Sequence, residues 1–180
     1  MKHAPAWRSV ALLVLLLLPA GMLACRPLAG LPGRPAPDEA LSFREVMDSG
    51  DAQRRASNHL VAEGLEADHL GAPGRALDRY ELALKVDPGN PWAYLTLARH
   101  DLDRDEPTRA LASLDRCRSL LEREHHGEIP PRVQTHLLGL RGASLEAQGR
   151  FREAAPLLDE ARRRAPSAWN DGYLTAAELR

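Results

Sequence analysis

The sequence predicts an all-α chain built as an α-solenoid: about three helical hairpins stacked side by side and closed by a C-terminal capping helix. Three observations predict it. Residues that favour half-buried strands are scarce, with aromatics at 4% and a single isoleucine, Ile129, whereas the good helix formers Ala, Leu, Arg and Glu abound. Proline recurs where helices would start, at Pro73, Pro91, Pro107 and Pro131, each able to take a first helical position where its missing N–H is harmless. The chain also repeats itself: Arg75-Ala76-Leu77 and Arg109-Ala110-Leu111 lie 34 residues apart. The 24 basic and 25 acidic residues nearly cancel, so no field of one sign argues for nucleic acid as a partner.

Residues 1–24 read as an address rather than as fold. Lys2 and Arg8 make a positive start, Val10 to Leu18 form a short apolar run, and Pro19 and Gly21 break any helix before a zone of small residues. That is the layout of a secretory signal peptide. An uncleaved anchor reaching Leu23 would have to include both breakers, and the apolar run alone is short of the ~20 residues a spanning helix needs. Ordinary cleavage wants small residues one and three positions before the cut, yet Met22 or Leu18 would occupy the third position. The segment Gly21-Met22-Leu23-Ala24-Cys25 resembles instead a bacterial lipobox, with departures at Met22 and Leu23 and a good fit at Ala24. The resemblance implies that Cys25 is lipidated and becomes the first mature residue; otherwise it is a free cysteine in a tail. Several acyl chains on one residue would hold a protein stably at a membrane. Arg26 follows, not the aspartate that resembles an inner-membrane retention signal, so the expected location is the outer membrane of a bacterial envelope, facing the periplasm. Residues 25–37 carry four prolines and two glycines and are expected to form an extended tether. Residues 38–50 are expected to form at most a short helix.

The folded part is expected over 51–180. Its repeats are read at about 57–90, 91–124 and 135–166, with the third displaced by a ten-residue insertion at 125–134. Small residues fall at Gly64, Ala98 and Gly142 on the first helix of each unit, and at Ala76, Ala110 and Ala154 on the second. They let two helices approach closely, while Tyr80, Leu114 and Leu158 fill the gaps between hairpins. Gly71 and Gly149 fall at turns, and Pro88 and Pro166 close units one and three. Unit two departs at Cys117, where a small residue is usual, and lacks a closing proline. Ser167 could cap a terminal helix over 167–180 that carries Trp169, Tyr173 and Ala176 at helical spacing.

A 34-residue period with two helices per unit and these residues in these places resembles the tetratricopeptide repeat family. The resemblance covers roughly 52–166 and implies a right-handed superhelix whose first helices line a concave groove for a partner peptide or amphipathic helix. By register that groove would be lined by Asn58, Leu65, Asp68 and His69 from unit one. Trp92, Leu95, Arg99 and Asp103 would follow from unit two, and His136, Ala143 and Glu146 from unit three. Packing against the preceding hairpin is an equal reading of Trp92. Val61 and Leu65 stand where chaperone-binding members carry a carboxylate clamp, so that specialisation is not implied.

Other residues invite chemistry and are read structurally. Cys117 sits at a small, buried position and is expected to be an inert packed thiol. His125 and His126 with Glu122, Glu124 and Glu128 match no metal-ligand spacing and suit a helix end. Arg162, Arg163 and Arg164 fall in a last helical turn, which favours positive charge. No nucleophile, base and orienting group form a recognisable arrangement, and no glycine-rich phosphate loop is present. The expected function is a non-enzymatic, lipid-anchored scaffold of the envelope that binds a protein partner, without cofactor, metal or small-molecule substrate. It would serve assembly of a pilus, secretion or cell-wall machine; the alternative is a structural, non-catalytic subunit of an enzyme complex.

Overall fold

The computed structural model describes residues 40–180. The expected signal peptide, Cys25 and the tether lie outside the described residues. Among the described residues there are eight α-helices and no strand. Helices α1 (Ala52–His69) and α2 (Pro73–Val86) make the first hairpin, α3 (Pro91–Asp103) and α4 (Pro107–Glu124) the second, α5 (Pro131–Ala147) and α6 (Phe151–Arg164) the third. Each helix packs chiefly on its hairpin partner, then α2 on α3 and α4 on α5, while α1, α3 and α5 stand side by side. No helix among the described residues is long and apolar enough to cross a membrane.

The helix starts follow from local chemistry. Asp51 accepts from the Arg54 amide at 2.8 Å, and Asn90 accepts from the Trp92 amide at 3.0 Å just ahead of Pro91. Proline opens α2, α3, α4, α5 and α7. The first and third hairpins turn on left-handed glycines, Gly71 (φ +70) and Gly149 (φ +75). In the second hairpin the same place, 34 residues after Gly71, holds Asp105 at φ +59.

The small residues do what their spacing predicts. A Cβ on Gly64 would stand 2.3 Å from Cε1 of Tyr80, and one on Gly142 would stand 2.8 Å from Cγ of Leu158. Ala76, Ala98, Ala110 and Ala154 are buried beside them, and so is Cys117, whose thiol is pushed up from its ordinary pKa by burial. One apolar core runs through all three hairpins, from Leu41 to Leu179.

The ends differ in detail from the expectation. The single capping helix expected over 167–180 is two one-turn helices, α7 (Pro166–Trp169) and α8 (Ala176–Leu179). Asp171 accepts from the Tyr173 amide at 3.0 Å and Gly172 turns at φ +84, so a side-chain turn outcompetes the helix. Thr175 and Glu178 then start α8 with a reciprocal capping box. Ser167 lies inside α7, which begins at Pro166. α8 packs back against α1. At the other end, the short helix expected within 38–50 is a single 3-10 turn, Phe43–Glu45.

Candidate functional site

The side-by-side first helices α1, α3 and α5 form the wall that the repeat pattern assigns to ligand binding. Of the residues expected to line it, His69, Asp103 and Glu146 are exposed and Ala143 is partly covered. Asn58, Leu65, Trp92, Leu95, Arg99 and His136 are buried. Asp68 is nearly so, with its side chain 6% exposed. The wall therefore exists, but this chain covers most of it.

Part of the burial is mutual. Asp68 reaches from α1 to α3, where its carboxylate pairs with the Arg99 guanidinium and accepts from Tyr80 Oη at 2.9 Å and His100 Nδ1 at 3.0 Å. Arg99 pairs in turn with Asp103. Burial pushes the Asp68 carboxyl upward, but the His100 hydrogen bond and the Arg99 charge hold it below its ordinary value. The charges at Asp68 and Arg99 are thus spent on holding two repeats together. Beside them the Asp101 carboxylate is buried with no hydrogen-bond donor, its nearest cation being Arg109 at 3.8 Å.

The rest of the burial comes from the two ends of the described chain. Residues 40–47 run across the wall from α5 to α1. Arg132 donates to the Ala40 carbonyl, and Nε2 of His136 lies 3.1 Å from the Leu41 amide and 3.2 Å from the Leu41 carbonyl. Asn58 donates to the Val46 carbonyl at 2.9 Å. From the other end, Trp169 donates to His136 Nδ1 at 3.2 Å and lies over Gly139, where a Cβ would meet its ring at 2.3 Å. Arg180 pairs with Glu66, and its carbonyl accepts from Ser42 Oγ at 3.0 Å. Beyond residues 40–47 a cleft of about 560 Å³ stays open, lined by Leu41, Val46, Trp92 and Val133 with Arg54 and Glu124 at its edge.

Sequence reasoning missed Arg132, Leu41, Phe43 and the inward placement of Trp169. The only signal was the presence of apolar residues, Leu41 and Phe43, in a stretch outside the repeat.

These features define the class first: a helical-hairpin repeat protein with a first-helix wall, the architecture of an interaction module rather than of a catalytic pocket. Residues 69–119 match the Tetratricopeptide repeat family, and the chain is a tetratricopeptide repeat protein. Among solved structures it is similar to the N-terminal domain of stress-induced protein-1 (STI-1) from C. elegans, with a TM-score of 0.53, 15% identity, and 68% of this chain and 96% of that one covered. At that identity the likeness is one of fold. No curated protein matches the sequence.

Proposed function

We propose that the chain is a lipid-anchored scaffold of the bacterial envelope that acts by binding, holding a partner's peptide or amphipathic helix along α1, α3 and α5. The observation that carries the binding part is the behaviour of Asn58, Arg132 and His136. All three already bond main-chain groups of an irregular segment laid across the wall. A surface that satisfies main-chain polar groups through side chains suits a peptide, because the peptide's own carbonyls must be paired when water is excluded. The anchoring part rests on Cys25 and its lipobox-like setting. Assembly of a pilus, secretion or cell-wall machine is the role that such an anchor and such a wall would serve together.

Two experiments test this. In the native host, Cys25→Ser should leave the chain soluble or unprocessed; a membrane-bound chain of processed size would end the anchoring proposal. For binding, a photoreactive residue at the exposed positions Asp103 or Glu146 should cross-link one dominant protein, and Asp103→Arg with Glu146→Arg should weaken its capture at least tenfold. Unchanged capture by the charge-reversed chain would move the binding surface off this wall. Arg99 is a poor choice for such a test, since its burial against Asp68 makes any change there a stability change.

A further inference from the structure

We infer that residues 40–47 are a built-in occupant of the groove, which a partner peptide of the same chemistry must displace in order to bind. This rests on the reading of α1, α3 and α5 as a peptide-binding wall and adds the occupant, the pattern it carries and the control it exerts.

The segment is held as a ligand is held. Around Ser42 the backbone is extended (φ −92, ψ 134), and Leu41 and Phe43, two residues apart, are 6% and 2% exposed. Arg44 and Glu45 face out. Three side chains of the wall grip the main chain: Arg132 at Ala40, His136 at Leu41 and Asn58 at Val46. The Glu45 carboxylate meets the Arg132 guanidinium through two bonds, of 2.5 and 3.0 Å. The groove thus recognises an apolar residue, any residue, a second apolar residue, any residue, then an acidic one.

The segment is also built to leave. Its only regular structure is one 3-10 turn of three residues. It joins α1 through Gly50, which turns at φ +86, and α1 is capped by Asp51 without help from residues 40–47. Because the segment is covalently attached, its effective concentration at the groove is of order millimolar, so a free peptide competes poorly until it reaches that level. A partner docked elsewhere on the chain, or presenting several copies of the pattern, would overcome this.

The test uses the full chain and a fluorescent peptide of residues 38–49 as probe. Phe43→Asp, which expels the second apolar anchor, should bind the peptide at least tenfold more tightly than the wild type does. A control peptide with aspartate at both apolar positions should bind neither chain. Equal affinity for the two chains, or no binding to either, overturns the inference. Should Phe43→Asp lose its helical circular dichroism, the wild type decides. Millimolar unlabelled peptide should speed amide hydrogen exchange in residues 40–47 while α1 to α6 stay protected, and unchanged exchange overturns the inference. If the peptide fails while Asp103 or Glu146 still captures a partner in the host, the self-occupied groove is wrong and the scaffold stands.

Discussion

Trp169 donates its indole N–H to Nδ1 of His136, 3.2 Å away, and both side chains are fully buried. An indole can only donate, so Nδ1 is the acceptor and the proton of the neutral imidazole sits on Nε2, facing the Leu41 carbonyl. One ring therefore joins α5 to both ends of the described chain, and it does so only while uncharged.

That requirement makes the fold acid-sensitive. Burial pulls His136 down from its ordinary 6.5 to about 4; the Leu41 hydrogen bond opposes this and the nearby Arg132 charge reinforces it. Between those two values the unfolded chain takes up a proton that the folded chain refuses, so stability falls as pH drops through that window. The full loss is about 3 kcal/mol. Urea unfolding at pH 7.5 and pH 4.5 should show most of it in the wild type. His136→Leu should lack this share of the slope; an unchanged slope would assign the acid sensitivity to other groups.

Asp68→Ala should destabilise the chain by about 3–5 kcal/mol, because it strands Arg99, only 2% exposed, without its buried partner. Replacing both at once, Asp68→Leu with Arg99→Met, should cost clearly less than the single change. Denaturant titration of the three chains measures the coupling, and additive losses would mean the pair contributes little. Because the folded state lowers the Asp68 pKa, the stability it contributes is present above the ordinary carboxylate range and is lost as pH falls through the folded value.

Asp105→Gly should stabilise the chain by ~0.5–1 kcal/mol. The residue sits at φ +59 in a turn where the other two hairpins use glycine, and a Cβ there carries a conformational cost that glycine avoids. A melting temperature that falls, or does not move, would show that the aspartate supplies a compensating contact.

Asp101→Ala should also stabilise, by about 1–3 kcal/mol at pH 7, the cost of a buried polar group without a partner. The equivalent position 34 residues earlier is Ala67, equally buried. Burial raises the Asp101 pKa, so its penalty grows as pH rises above the unfolded carboxylate value; the gain from alanine should therefore be larger at pH 7 than at pH 4. A gain that is the same at both values would rule out the ionised carboxylate as its source.

The hairpins were legible in the sequence because they are dictated locally. Gly64 opposite Tyr80 and Gly142 opposite Leu158 are fixed by helix-to-helix distance, and a 34-residue period records that constraint three times over. The state of the groove was not legible. Register placed Asn58, Arg99 and His136 on the right wall but could not reveal that Val46, Asp68 and Leu41 already occupy their polar atoms. Those partners lie outside the repeat or on a neighbouring unit, and a period describes only what recurs. The C-terminal helix was overextended for the converse reason: apolar spacing at Trp169, Tyr173 and Ala176 outweighed the Asn170-Asp171-Gly172 turn signal.

A linear array of repeats ordinarily unravels from its ends, since each unit touches only its neighbours. Here Ser42 meets Arg180, α8 meets α1, and Leu41 meets α5, so the first unit is fastened to the last. Topologically the array behaves as a ring with no loose terminal unit to fray. Melting should be all-or-none across the three hairpins, and severing the ring at Leu41 or Phe43 should turn one sharp transition into a broad, stepwise one.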